Sequence, residues 1–167
     1  MQLTFKHIHL FCFLSLFFFS AKASHAQTTE KEAMAKLSFL MGNWKGESNA
    51  YLPDGNKKTI EVVARVQYEM DGNLLVLNVK SSSLQLHTVI NYDLKGQQYF
   101  YTPFTKKGGN KYRGEYVDGR FLVWFSDTRR LTFERTEAGL FHEYGENLKD
   151  GKWSKYFEDL LYPSSEN

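Results

Sequence analysis

Cysteine is almost missing from this chain: Cys12 is the only one in 167 residues. It lies inside an uncharged apolar run, "LFCFLSLFFFS" (residues 10–20), with Lys6 before it and the small residues of "AKASHA" after it. That order of basic start, apolar stretch and small residues is the layout of a secretory signal. Ser24 and Ala26 satisfy the small–x–small rule, so cleavage is expected between Ala26 and Gln27, with the mature chain periplasmic or secreted. The apolar run is too short for a spanning helix, which needs about 20 residues. Cys12 sits within the run and not at the cleavage point, which argues against a lipid-modified N-terminal cysteine. After cleavage no thiol remains, and disulfides, thiol redox chemistry and a cysteine nucleophile are all excluded.

A surplus of charge is missing too. Lys6 and Lys22 leave with the signal, so the remaining basic residues equal the 19 acidic ones. A balanced chain carries no basic footprint for nucleic acid or anionic lipid. Histidine is scarce, with only His87 and His142 beyond residue 26. There is no Gly-x-Ser-x-Gly elbow, no phosphate-cradling glycine loop and no histidine pair at helical spacing. No catalytic residue, metal or cofactor is therefore expected. Proline occurs three times, and no low-complexity tract or linker breaks the chain. About 140 residues remain, the length of a single domain. Its expected bounds are residues 27–162, followed by a flexible tail, "PSSEN" (163–167).

What the chain does have is periodicity. Thr29 to Leu40 reads as a short helix: Thr29 and Glu32 have capping-box spacing, Met34, Leu37 and Met41 share a face, and Gly42 is placed to end it. Beyond it the period becomes two. Ile60, Val62, Ala64, Val66, Tyr68 and Met70 point one way, while Glu61, Val63, Arg65, Gln67 and Glu69 point the other. Leu84, Leu86, Thr88, Ile90 and Tyr92 repeat the pattern. Turn signals recur at Asp54-Gly55, Asp71-Gly72, Ser81 to Ser83, Lys95-Gly96, Gly108-Gly109, Asp118-Gly119, Ser126-Asp127, Ala138-Gly139 and Asp150-Gly151.

A meander with one dry face must stack or close, and closure removes both edges. The fold expected is all-β: a single up-and-down antiparallel barrel of about ten strands, with the short N-terminal helix plugging one end. A sandwich is the alternative. A transmembrane barrel would set Glu61, Arg65 and Glu69 against lipid, where charge is expensive. In the first strand Trp44, Gly46, Ser48 and Ala50 share a face, so the indole fills the closed end and the small residues leave room above it.

"FLMGNWKGES" (residues 39–48) resembles the N-terminal motif of the calycin superfamily, which includes lipocalins, fatty-acid-binding proteins and nitrobindins. "LFHEYGENLKDGKWSKYFEDLL" (residues 140–161) resembles more closely a bacterial lipocalin-like family of uncharacterised function. The likeness runs over residues 37–162 and implies a barrel of eight to ten strands with no catalytic residues. Two departures stand out. Related barrels often end with an Arg or Lys packed on the first-strand Trp, whereas here the corresponding stretch reads "LLYPSS" (residues 160–165), so Leu161 or Tyr162 would cover Trp44. Nitrobindins hold haem through a histidine near the last strand, where this chain has Tyr156 and Tyr162 instead.

The C-terminal hairpins can be registered by counting. With Asp150-Gly151 as a two-residue turn, His142 faces Asp159, Tyr144 faces Phe157, Glu146 faces Lys155 and Leu148 faces Trp153. With Ala138-Gly139 as another, Arg135 faces His142 and Phe133 faces Tyr144. One face then carries Phe133, Tyr144, Phe157 and Trp153 with an Arg135–His142–Asp159 row, and the other aligns Glu134, Glu143 and Glu158. Burial penalises unpaired charge more than paired charge, so the Arg–His–Asp face is expected inside. A bulge would swap the faces and bury a Glu143–Glu158 pair instead.

The function expected is an exported barrel binding a small apolar or amphipathic molecule, with Trp44, Tyr68, Phe133, Arg135, His142, Tyr144 and Asp159 as candidate ligand contacts. The same polar row could equally be a self-satisfied network with no ligand. One alternative is an interaction module or homo-oligomer, since Tyr99, Phe100, Tyr101 and Phe104 give one strand apolar side chains on both faces. Another is a hydrolase or isomerase using His142 with Asp159, or Glu143 with Glu158.

Overall fold

Alternation along the strands decides the architecture. The computed structural model describes residues 28–165; the export signal read from residues 1–26 lies outside them. Helix α1 (Glu30–Ala35) opens the described chain and carries the expected capping box, with the Thr29 side chain on the Glu32 amide and the Glu32 carboxylate on the Thr29 amide. A separate 3₁₀ turn follows at Ser38–Leu40, so the helical stretch is two short pieces and not one helix to Leu40. Gly42, with φ +138, turns the chain into the first strand, a conformation that L side chains rarely adopt.

The strands are β1 (Gly42–Tyr51), β2 (Lys57–Glu69), β3 (Leu74–Ser81), β4 (Gln85–Asp93), β5 (Gln98–Thr105), β6 (Gly108–Gly109), β7 (Tyr112–Val117), β8 (Arg120–Ser126), β9 (Arg129–Arg135), β10 (Phe141–Lys149) and β11 (Lys152–Pro163). Each pairs antiparallel with its neighbours. The β4–β5 ladder and the β1–β11 ladder join the remaining edges, so ten strands close into a barrel. The two residues of β6 only lengthen the edge of β5. In β2, Val62, Ala64 and Val66 are buried while Glu61, Val63 and Arg65 are exposed, as the period requires. Met70 falls outside the strand, in a short 3₁₀ turn, and is exposed.

One end is plugged. Ala33, Met34, Leu37 and Leu40 are buried against the barrel. The plug is pinned by two phenols, because the half-buried Tyr68 donates to the Met34 carbonyl at 2.8 Å and the buried Tyr99 to the Ala33 carbonyl at 2.6 Å. Trp44 is buried beneath it and donates from Nε1 to the Leu40 carbonyl at 3.0 Å. Of the two residues expected to cover it, Tyr162 is exposed, whereas Leu161 is buried in the same core, opposite Gly46. The Arg135 guanidinium, from β9, lies 4.5 Å from the indole and is fixed by the carbonyls of Phe39 and Gly139, each at 3.0 Å. Pairing of β11 continues to Pro163, and the Ser164 amide donates to the Asn43 carbonyl at 2.8 Å.

The expected registers of β9, β10 and β11 need correction in two places. The β9–β10 connection is a three-residue loop and not a two-residue turn. It is closed by Thr136–Leu140 pairing, with Gly139 at φ +78; a glycine in the left-handed region is what such loops require. This shifts the ladder by one, so Arg135 meets Phe141, Glu134 meets His142 and Phe133 meets Glu143. The Asp150-Gly151 turn has two residues, both at positive φ as expected, and Glu146 does face Lys155. A bulge follows, in which Tyr156 is the extra residue and Gly145 pairs with Phe157. A Cβ on Gly145 would clash with ring atoms of both Tyr156 and Phe157. Only glycine lets two consecutive rings fold over the opposing backbone.

Candidate functional site

Beyond the bulge every side chain of β11 is displaced by one place. Glu143 now faces Asp159, and His142 faces Leu160. The buried pair is therefore Glu143 with Asp159, not the Arg135–His142–Asp159 row and not Glu143 with Glu158. Glu143 is 8% exposed and Asp159 7%. Opposed residues of an antiparallel ladder hold their Cβ atoms about 4.5–5.5 Å apart, so two acids share one buried position.

Beside them lies a cavity of about 330 Å³ between the plugged end and the opposite mouth, and both acids line it. Its walls are otherwise mostly apolar, among them Ile60, Val62, Val79, Leu131 and Phe157. The small residues of β1 contribute as expected: Ser48 lines the cavity level with Asp159. An aromatic layer separates the cavity from the plug. Phe133 lies 5.9 Å from Tyr101, 6.0 Å from Phe121 and 6.1 Å from Phe141. Tyr101 also lines the cavity, and burial pushes its phenol far above the ordinary value.

Burial governs the acids. Desolvation, followed by repulsion from Asp159, holds Glu143 well above the usual carboxylate range. Asp159 is raised to about 6, mainly by desolvation; a Ser48 hydrogen bond opposes the rise, the Glu158 charge adds to it and His142 opposes it. Asp159 Oδ1 is buried without a hydrogen-bond partner. Coupled carboxyls in a dry site give up their protons in two separated steps.

The candidate residues do not gather here. Asp159 alone of them lines this cavity. Trp44 and Tyr68 hold the plug, Phe133 sits in the aromatic layer, and Arg135 caps the closed end. His142 and Tyr144 face outward because the shifted registers turned them out. His142 bridges Glu134 and Glu158, each at 2.8 Å, and Lys155 lies over the Tyr144 ring at 4.5 Å. His142 and Asp159 are on opposite faces of the sheet, as are Glu143 and Glu158, so neither acid–base pair considered from the sequence is assembled. Of the aromatic strand, Tyr99 and Tyr101 point inward, Phe104 is exposed, and Phe100 packs under Lys111 at 3.6 Å.

Sequence reasoning sets Glu143 in an outward row with Glu134 and Glu158, and inside only as a pair with Glu158. The missed signal was Gly145 facing two consecutive aromatics across the ladder, a local cue for a bulge. No group of three or more metal-ligating side chains converges among the described residues, and no helix among them is long and apolar enough to cross a membrane. No protein-family model matches the chain, and no curated protein matches it.

Proposed function

We infer that this chain is an exported, lipocalin-like barrel that holds one small, mostly apolar molecule in its interior. The observation that carries the reading is the cavity of about 330 Å³, walled chiefly by aliphatic and aromatic side chains inside a closed sheet. Ligand pockets run from about 300 to 1,000 Å³, so the occupant is small. The resemblance of residues 39–48 and 140–161 to lipocalin-like barrels supports the same reading, and the signal-like sequence of residues 1–26 supports an encounter outside the cytoplasm. Leu84 lines the cavity and is exposed at the mouth, which suits a portal.

Native mass spectrometry of the purified protein, after incubation with an extract of small apolar metabolites, tests this. One bound mass per chain is expected. It should disappear in Val79→Phe or Leu131→Trp, either of which fills the cavity. Absence of any bound mass from the parent protein, or equal retention by both filled variants, would end the reading. Recovery of the exported chain with Gln27 at its N-terminus tests the localisation.

A further inference from the structure

We propose that the cavity is selective for a small apolar monoamine, whose ammonium group is taken by Glu143 and Asp159. This rests on the interior-binding reading and names its ligand class. Both acids are more than nine-tenths buried and oppose each other across one ladder position. Both line the cavity, and Asp159 Oδ1 has no partner within the protein. A buried oxygen of this kind normally finds a donor. No lysine, arginine or histidine lines this cavity among the described residues. Arg129 stacks on Tyr156 at 4.6 Å without lining it. No cationic donor of the protein reaches that oxygen, and one carried in by a ligand would satisfy it.

Charge and shape select the donor. A carboxylate ligand would be repelled, and an ionised acid offers acceptors only. Burial raises both acids, and the Asp159 charge adds to the rise of Glu143; a monocation beside them relieves that repulsion. A divalent metal would want about six to eight oxygens, whereas an ammonium carries three donors. Asp159, Glu143 and the Ser48 hydroxyl, which sits opposite Asp159 in the next ladder, can accept them. Tyr101 and Phe157 also line the cavity, and aromatic rings attract cations. The apolar body of the ligand then lies against Ile60, Val62 and Leu131.

The test uses three probes of one shape: 2-phenylethylamine, 2-phenylethanol and phenylacetate, titrated calorimetrically into the purified protein at neutral pH. The amine should bind at least about 10-fold tighter than the alcohol, and phenylacetate weakest. A hydrogen bond to a charged group supports a change of about 10- to 100-fold, so Asp159→Asn should weaken the amine by that factor and leave the alcohol within about threefold. Glu143→Gln should act in the same direction, and it keeps the test alive if the first variant does not fold. Equal binding of amine and alcohol, tightest binding of phenylacetate, or amine binding untouched by both variants overturns the amine assignment while the cavity reading stands. Failure of all three probes overturns the amine assignment, and the mass-spectrometric experiment then decides the cavity reading separately.

Discussion

Residues 142 and 143 are neighbours, as are 158 and 159, yet the two faces of the β10–β11 ladder treat carboxylates in opposite ways. Outside, partial burial pulls Glu158 upward. Hydrogen bonds from Lys155, His142 and Tyr51 outweigh it and hold the group down at about 2. Inside, Glu143 and Asp159 lack donors of that kind and are pushed up. The residue types are nearly identical. What differs is how many donors reach each oxygen and how much water remains. The outer cluster is closed on itself, since Glu158 is met by Lys155, by His142 at 2.8 Å and by Tyr51 at 2.8 Å. The inner pair is left open. A polar group satisfied by the protein is structural, and one left unsatisfied beside a cavity invites a ligand.

The largest expected effect comes from wetting the inner face. Phe133 is fully buried and pairs with Glu143 across the β9–β10 ladder. Phe133→Ala should cost about 3–5 kcal/mol, measured by urea denaturation. It should also open the floor of the cavity, so that Asp159 moves back from about 6 toward its ordinary range, read by NMR titration. An unmoved Asp159 would show that repulsion within the pair, and not dryness, sets its value.

Neutralising one acid on each face should give effects of opposite sign. Glu158→Gln removes the charge and one of the two acceptor oxygens that take three hydrogen bonds, and should destabilise by about 1–3 kcal/mol. Asp159→Asn removes charge from a buried acid pair and should be neutral or stabilising by about 1 kcal/mol or more, as replacements of buried charge often are. Thermal melts of the two variants at neutral pH decide it, and a shift in the same direction for both would erase the distinction between the faces.

The pH dependence follows with the same division. The raised value of Asp159, about 6 against an ordinary 3.8, means the folded chain binds more protons between those limits. Its contribution to stability is complete below about 3.8 and is lost as pH rises through about 6. Glu143 contributes in the same direction. The lowered value of Glu158, about 2 against 4.5, means its contribution is present above 4.5 and is lost as pH falls toward 2. The groups around Asp159 are Glu143, Tyr101, Tyr156 and Ser48 on the cavity side, and Glu158 and His142 behind it. Urea midpoints between pH 2 and 8 should therefore fall on the acid side in the parent protein. That fall should flatten in Glu158→Gln, while Asp159→Asn should reduce the decline between about pH 4 and 6 to the share that Glu143 contributes.

The barrel was legible in the sequence because its signal is repeated: the alternation of Ile60 to Tyr68 recurs in strand after strand, and Asp-Gly pairs mark several of the turns. The capping box at Thr29 and Glu32 and the burial of Trp44 were legible for the same reason, since each rests on local chemistry. The site was harder, because parity along a strand is unforgiving. One residue more in the 137–139 loop and one more at Tyr156 turned His142 and Tyr144 out and left Asp159 in. A period-two argument carries no memory of an insertion, so an error of one place inverts every later assignment. Gly145 and Gly139 were the residues to weigh, because each permits an extra residue that a side chain would forbid.

The smallest expected effect separates the donors of the outer cluster. Tyr51 is half-exposed, and its hydroxyl donates to Glu158 at 2.8 Å from the neighbouring strand β1. Tyr51→Phe deletes one of three donors and leaves Lys155 and His142 in place. The loss should be no more than about 1 kcal/mol, close to the resolution of a denaturation curve, so stability is a poor readout. The titration of Glu158 is the better one, because its low value is a sum over donors and should rise when one is removed. A clear rise with Asp159 unmoved would show that the two faces titrate separately even though Glu158 and Asp159 are adjacent in sequence. A matching displacement of Asp159 would show instead that charge is felt through the sheet, and the inner pair would then be tuned from outside by the phenol of Tyr51.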